Sequence, residues 1–346
     1  MIVGVPRETK EGERRVALAP RAVQELVANG HDLLVETHAG IGAGFNDDDY
    51  RDAGANLVVA RDAWDAELVV KVKEPQDADF KSMPDGAAIF SFLHLIGAPE
   101  RARALAGRGV SAIAWELVRD RRGRSPLLAP MSVIAGRASF EIATRHLGRK
   151  PERVLVLGAG PAAMEAARAA GNAGAQVTIL ARRAREGIEV ASPEAIERHA
   201  LEADLVVAAA FVAGEPSPKL LPRALVRRMK RRAMIVDISI EEGGVAETSR
   251  RTTHANPVFV EEGVIHYCVG NIPAAHPREA SAALSDAALP YVLDMAGNGI
   301  AAALMASSEL REAVLLWEGR VTHAQVARET GLAYTALTDG LLAEST

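Results

Sequence analysis

The sequence predicts an α/β protein of two doubly wound domains, one inserted into the other. Three observations carry that expectation. Strand-like and helix-like segments alternate from the first residue, the pattern of mainly parallel sheets covered by helices. A polar break, Gly148-Arg-Lys-Pro-Glu152, is followed at Arg153 by a fresh strand–turn–helix unit. A long helical pattern over residues 280–298 offers a route back to the first domain. The expected division is 1–131 with 286–346 for a discontinuous outer domain, and 132–285 for the inserted one.

The elements follow in order. Residues 2–5, 32–36, 68–72, 87–91 and 112–115 are short, β-rich and mostly apolar, as strands covered on both faces should be. Between them, residues 20–29 read as a helix that stops at Gly30, and 99–108 as another that stops beside Gly109. After Pro130-Met131-Ser132 a helix runs to about Leu147. In the inserted domain, 153–157, 175–180, 203–210 and 234–240 read as strands, with an Ala- and Met-rich helix over 162–172. The helix usual between the second and third strands of such a domain is expected to be cut to 186–192.

Composition narrows the class. At 346 residues the chain can bury two cores, and its 49% hydrophobic and 25% charged residues are those of a globular protein. A net charge of −5 calls for neither nucleic acid nor an anionic membrane. Cys268 is the lone cysteine, so no intrachain disulfide is expected and a reducing compartment fits. The start, Met1-Ile-Val-Gly-Val-Pro6, lacks a signal-peptide pattern, and the longest apolar run, 205–213, is too short to span a bilayer. A cytoplasmic location is expected, and no metal site.

One motif carries chemistry on its own context. Gly158-Ala-Gly160-Pro161-Ala-Ala163 lies between a buried-strand pattern and a helix, with a further strand beyond, the G-x-G-x-x-A form of the Rossmann dinucleotide fingerprint. Gly158 permits the turn, Gly160 lets backbone approach a pyrophosphate, Ala163 lets the helix pack on the strand, and Pro161 is counted with them at the cofactor. The next strand ends Leu180-Ala181-Arg182-Arg183. No carboxylate stands there for an adenosine ribose, while Arg182 and Arg183 suit a 2′-phosphate. NADP(H) is therefore favoured over NAD(H); a solvated basic loop is the other reading. Val212, Ser239 and Glu241 follow later strands, at the edge where such sheets collect ligands.

Together the motifs resemble the alanine dehydrogenases and, close to them, the N-terminal part of nicotinamide nucleotide transhydrogenase. The matching segments are Val3-Gly-Val-Pro-Arg-Glu-Thr-Lys10 with Glu13-Arg-Arg-Val16, Lys71-Val-Lys-Glu-Pro75, Phe92-Leu-His-Leu95, Leu128-Ala-Pro-Met-Ser132 with Ala135-Gly-Arg137, Val236-Asp-Ile-Ser-Ile-Glu-Glu-Gly-Gly244, Cys268-Val-Gly-Asn-Ile-Pro273 and Leu289-Pro-Tyr291. The resemblance runs in order over nearly the whole chain. It implies an NAD(P)-dependent amino-acid dehydrogenase or imine reductase, interconverting a small 2-amino acid, alanine by default, and its 2-oxo acid. It implies that Arg15 and Lys73 hold the substrate carboxylate and that His94 is the acid/base group, with a pKa suited to that work. It places Met131 and Asn271 at the substrate, and Ser132 and Asn271 at the cofactor. It also implies a homo-oligomer.

The departures from the family pattern matter as well. Glu241 stands where the family has a catalytic Asp, Gly270 and Ile272 replace Ala and Met, and Val133 replaces an acidic residue. Shortened connections remove segments that could carry subunit contacts. Two alternatives stay open: a saccharopine- or opine-type reductase joining an amine to a 2-oxo acid, and a transhydrogenase-like dinucleotide-binding module. The chain ends soon after Gly340 without a fused partner domain, which weighs against the module.

Overall fold

A computed structural model of the protein describes residues 1–210 and 216–344. The chain divides into two compact units, one of residues 1–130 and 276–346, the other of 131–275. The return thus falls at His276, ahead of the expected 286. The reason lies in the helix Pro277–Asn298: the hydroxyls of Ser281 and Ser285 accept the backbone N–H groups of Val16 and Ala19, at 3.0 and 2.9 Å, so its first turns belong to the first unit.

Among the described residues the first unit holds an eight-stranded sheet. Number its strands β1 (Ile2–Val5), β2 (Asp32–Glu36), β3 (Asn56–Val58), β4 (Leu68–Lys73), β5 (Ala88–Phe92) and β6 (Ser111–Ala114). These six run parallel in the order β6-β5-β4-β1-β2-β3, and Val314–Trp317 and Arg320–Val321 extend the β6 edge antiparallel. The strand order reverses between β1 and β4, and ligands in such sheets collect beyond the carboxyl ends at that reversal. Strand β4 is buried throughout, Lys71 included. A charge survives there because Lys71 Nζ lies 3.5 Å from Glu8, 3.6 Å from Asp79 and 3.3 Å from the Arg7 carbonyl. Replacing Lys71 by a neutral residue would leave the Glu8 and Asp79 carboxylates without that cation, and stranding a buried charge costs about 3–5 kcal/mol.

The second unit repeats the design. Its strands are β7 (Arg153–Leu157), β8 (Gln176–Ala181), β9 (Glu189–Val190), β10 (Leu205–Ala208), β11 (Met234–Asp237), β12 (Val258–Glu261) and β13 (Val264–Tyr267). The order is β12-β13-β11-β10-β7-β8-β9, parallel except for β12, with the reversal between β7 and β10. Valine and leucine fill both faces, and small alanines on the helix Pro161–Asn172 let it lie close on the sheet.

Two sequence expectations are corrected, and a third group of elements had no counterpart among them. Residues 186–192 hold no shortened helix; β8 passes to its parallel neighbour β9 through residues 182–188, pinned by an Arg185–Ile188 bridge, and the helix follows at Pro193–Glu202 with Ser192 as its cap. The strand expected to reach Ile240 stops at Asp237 and continues as a 3-10 turn, Ile238–Glu242. Past that turn the chain folds back on the Asp237 carboxylate, which accepts the Val245 and Ala246 amides at 2.8 and 3.3 Å and the Ser249 hydroxyl at 2.6 Å. Third, β3 and the helices Asp47–Asp52 and Ala60–Trp64 escaped the sequence reading, being too short to show a period. No single helix among the described residues is long and apolar enough to cross a membrane; the pair Pro277–Asn298 and Ile300–Ala306 bends by 116°.

Candidate active site

On the first unit, the groups expected to handle substrate follow β1, β4 and β5, neighbours in the sheet. Lys73 ends β4, and His94 lies just past β5. Their side chains meet: Lys73 Nζ is 3.5 Å from His94 Nε2. Lys73 is buried and His94 exposed, an arrangement that puts a cation beside a titratable ring open to an incoming molecule.

Each of the three groups rests on a glutamate. Arg15 is buried, and Glu13 grips it through Nε at 2.7 Å and Nη2 at 2.6 Å, a two-pronged pairing that fixes the guanidinium plane. Glu8 accepts the amides of Val72 and Lys73 at 2.7 and 3.3 Å. Glu116 accepts those of Leu93 and His94 at 3.2 and 2.7 Å. Burial pushes the Glu8 carboxyl up, Lys71 opposes that, and the negative charge of Glu13 adds to it. In the sequence Glu8 and Glu13 show only as motif members, and the one signal for Glu116 is a carboxylate just after a strand-like run.

On the second unit the fingerprint turn has the expected form. Gly158 takes φ +126°, and a β-carbon there would stand 2.3 Å from the Ala209 carbonyl oxygen, so only glycine lets β7 and β10 come together at the reversal. Gly160 begins the helix Pro161–Asn172 from an extended conformation, and no side chain caps the first turn. Among the described residues, its own chain neighbours aside, no atom lies within 4 Å of the place a Gly160 β-carbon would take. A helix start without a side-chain cap among the described residues fits a pyrophosphate, since the terminus supplies donors and partial positive charge. Ala163 is fully buried against the sheet. One contributor was missed. Gly136, inside the helix Ala129–Leu147, lies so near the fingerprint helix that a β-carbon would stand 2.1 Å from the Ala162 carbonyl oxygen.

The remaining expected residues are placed as follows. Ala181 ends β8 and is buried, while Arg182 and Arg183 are exposed directly after it. Met131 and Ser132 lie in the first turns of Ala129–Leu147, Met131 buried. Ser239 is buried in the turn after β11. Glu241, in the same turn, is exposed and pairs with Arg251 at 3.2 Å. That guanidinium lies where a β-carbon on Gly270 would press on it, 2.9 Å from Nη2. Asn271 follows β13 with a left-handed backbone, φ 63°, and its carbonyl accepts from His254 Nε2 at 3.2 Å. Val212 falls outside the described residues. Among the described residues no cluster could hold a metal ion.

Next to Glu241, the Glu242 carboxyl is pushed up to about 7, first by burial and then by the charge of Glu241. A carboxyl whose folded pKa exceeds its unfolded value contributes stability below the unfolded pKa and loses it as pH rises through the folded one. Glu242→Gln, which cannot ionise, is therefore expected to raise the melting temperature relative to the parent at about pH 8 and to change it little at about pH 4. An equal effect at both values would show that Glu242 does not titrate in this range.

The sequence profile described as "Alanine dehydrogenase/PNT, N-terminal domain" matches residues 4–135, and that described as "Alanine dehydrogenase/PNT, C-terminal domain" matches 139–324. An alanine dehydrogenase of Bacillus subtilis (strain 168) is 38% identical, over 100% of this chain and 99% of the relative. Among solved structures, an L-alanine dehydrogenase superposes with a TM-score of 0.91 at 38% identity, over 96% of this chain and 99% of the other. A transhydrogenase from Sinorhizobium meliloti superposes at 0.82 with 25% identity, over 94% and 99% of the two chains.

Proposed function

The chain belongs to the alanine dehydrogenase/PNT family, and on that premise we propose that it interconverts a small 2-amino acid, alanine first, with its 2-oxo acid, using NADP(H) in preference to NAD(H). It is an oxidoreductase acting on the CH–NH2 group with a nicotinamide dinucleotide. Amino acid, water and oxidised dinucleotide give 2-oxo acid, ammonium, reduced dinucleotide and a proton. When bound, the dinucleotide supplies the hydride acceptor, nicotinamide C4. The amides that open Pro161–Asn172 would hold its pyrophosphate. Arg15, its plane set by Glu13, and Lys73 bind the substrate carboxylate. His94 takes the proton of the water that adds to the imine carbon and returns it as the amine departs. Glu241 is assigned to assist that water or the amine. The observation that carries this reading is the 3.5 Å approach of Lys73 Nζ to His94 Nε2 at the carboxyl edge of the sheet: a carboxylate bound by the cation presents its α-carbon to the ring.

Support for NADP(H) comes from what ends β8. Ala181 offers no side-chain acceptor for ribose hydroxyls, and Arg182 and Arg183 stand exposed beside it on the short 182–188 connection. A 2′-phosphate gains charge-assisted hydrogen bonds there. Purified protein given pyruvate and ammonia is expected to oxidise NADPH with at least about tenfold higher kcat/KM than NADH, a difference of one ion-pair contact or more. Arg182→Ala with Arg183→Ala should erase that preference while leaving the NADH rate in place. Equal use of both cofactors by the parent would remove the NADP(H) assignment alone. Tight dinucleotide binding with turnover only on larger amines would move the substrate from ammonia to a secondary-amine product.

A further inference from the structure

We propose that Glu116 is the positioning residue for His94, and that it governs turnover by holding the backbone beneath the ring rather than by touching substrate. The proposal rests on the acid/base reading of His94. That residue has φ 47°, in the left-handed region where a β-carbon crowds its own backbone. A residue stays there only if its surroundings hold it. The hold is visible. Glu116 Oε1 accepts the His94 amide at 2.7 Å and Oε2 accepts the Leu93 amide at 3.2 Å. Two successive amides converge on one carboxylate only while the chain keeps this bend. A relaxed backbone would turn one of them away.

Glu116 is itself firmly mounted. It lies in the 3-10 turn Trp115–Leu117, just after β6, the parallel neighbour of β5. Trp115 meets Phe90 and Phe92 edge-on, at centroid distances of 5.4 and 5.2 Å. The Glu116 carbonyl accepts Arg119 Nη1 at 2.9 Å. What the clamp sets is the direction of the imidazole, which stacks on Phe92 at 6.1 Å and brings Nε2 to Lys73. Glu8 clamps Val72 and Lys73 in the same manner, but it is locked to buried Lys71, so its removal would unsettle the fold. Glu116 is partly exposed, and its loss can be read in kinetics.

The test compares Glu116→Gln, Glu116→Asp and His94→Ala in the full chain. Gln keeps one acceptor and turns an NH2 donor towards the other amide, while Asp keeps the charge and loses the reach. For both Glu116 variants kcat is expected to fall by about 10- to 100-fold, the scale of a displacement near 1 Å, with KM for the amino acid within about threefold. Dinucleotide affinity should hold, and hydrogen exchange in the peptide bearing Leu93 and His94 should quicken at least about tenfold. Parent-like kcat and exchange in folded Glu116 variants, beside an inactive His94→Ala, would overturn the proposal. So would a loss confined to KM, which would place Glu116 on the substrate. An active His94→Ala would instead remove the acid/base reading and the proposal with it; which variant keeps its rate separates the two failures.

Discussion

His94→Ala is expected to lower kcat by about 10²–10⁴-fold, the range supplied by a positioned acid or base, and to leave dinucleotide affinity unchanged. The ring is exposed at the end of β5 with Lys73 as its polar neighbour at 3.5 Å. Its removal opens no core cavity, and although alanine suits the left-handed backbone less well than histidine, the Glu116 bonds to the Leu93 and His94 amides do not depend on the side chain at 94. Folding should therefore be nearly unaffected, and the loss should fall on proton transfer. Because the fingerprint turn is built from residues 158–163 of the other unit, titration with NADPH gives an independent check that the protein is intact. Rates with ammonia and pyruvate, and in the reverse direction with alanine, give kcat. A drop of less than about tenfold would assign the proton chemistry elsewhere, because an imidazole acting in the transition state is worth more than that.

Gly136→Ala is expected to destabilise the dinucleotide-binding unit by about 2 kcal/mol or more, in the range of overpacked cores, and to weaken dinucleotide binding at least about tenfold. Two effects oppose each other. Alanine in place of glycine inside a helix gains about 1 kcal/mol of intrinsic propensity. Against this, the new β-carbon would stand 2.1 Å from the Ala162 carbonyl oxygen and 2.9 Å from its carbon. Both atoms are backbone and cannot swing aside, so the helices must separate. The steric cost prevails. Ala162 lies in the first turn of Pro161–Asn172, and displacement there tilts the amides that would receive the pyrophosphate. Denaturant unfolding and NADPH titration measure the two effects. A variant as stable as the parent, with equal affinity, would mean that the two helices do not approach this closely.

The sequence alone determined the α/β class and the fingerprint turn, and it singled out Arg15, Lys73 and His94 as candidates. These are local or motif-borne. A strand read from consecutive apolar residues, a glycine pair with its alanine, and a resemblance carried by contiguous segments need no knowledge of the fold. Ala181-Arg182-Arg183 was equally legible, because the residue ending the second strand of a fingerprint unit is found by counting.

Only the tertiary structure decided how those groups are held. Glu13, Glu8 and Glu116 each serve a different predicted residue, but two of the three act through backbone amides far away in the chain, and no spacing announces such a contact. Gly136 read as an unremarked member of a helical motif; its meaning is a close approach to Ala162. The boundary near 276 was set by Ser281 and Ser285 reaching Val16 and Ala19, and past the early end of β11 the chain folds back so that Val245 and Ala246 reach Asp237. In each case a polar group buried by folding had to find a partner. Which partner it found depends on how distant segments converge, and that is a property of the folded chain rather than of any stretch of its sequence.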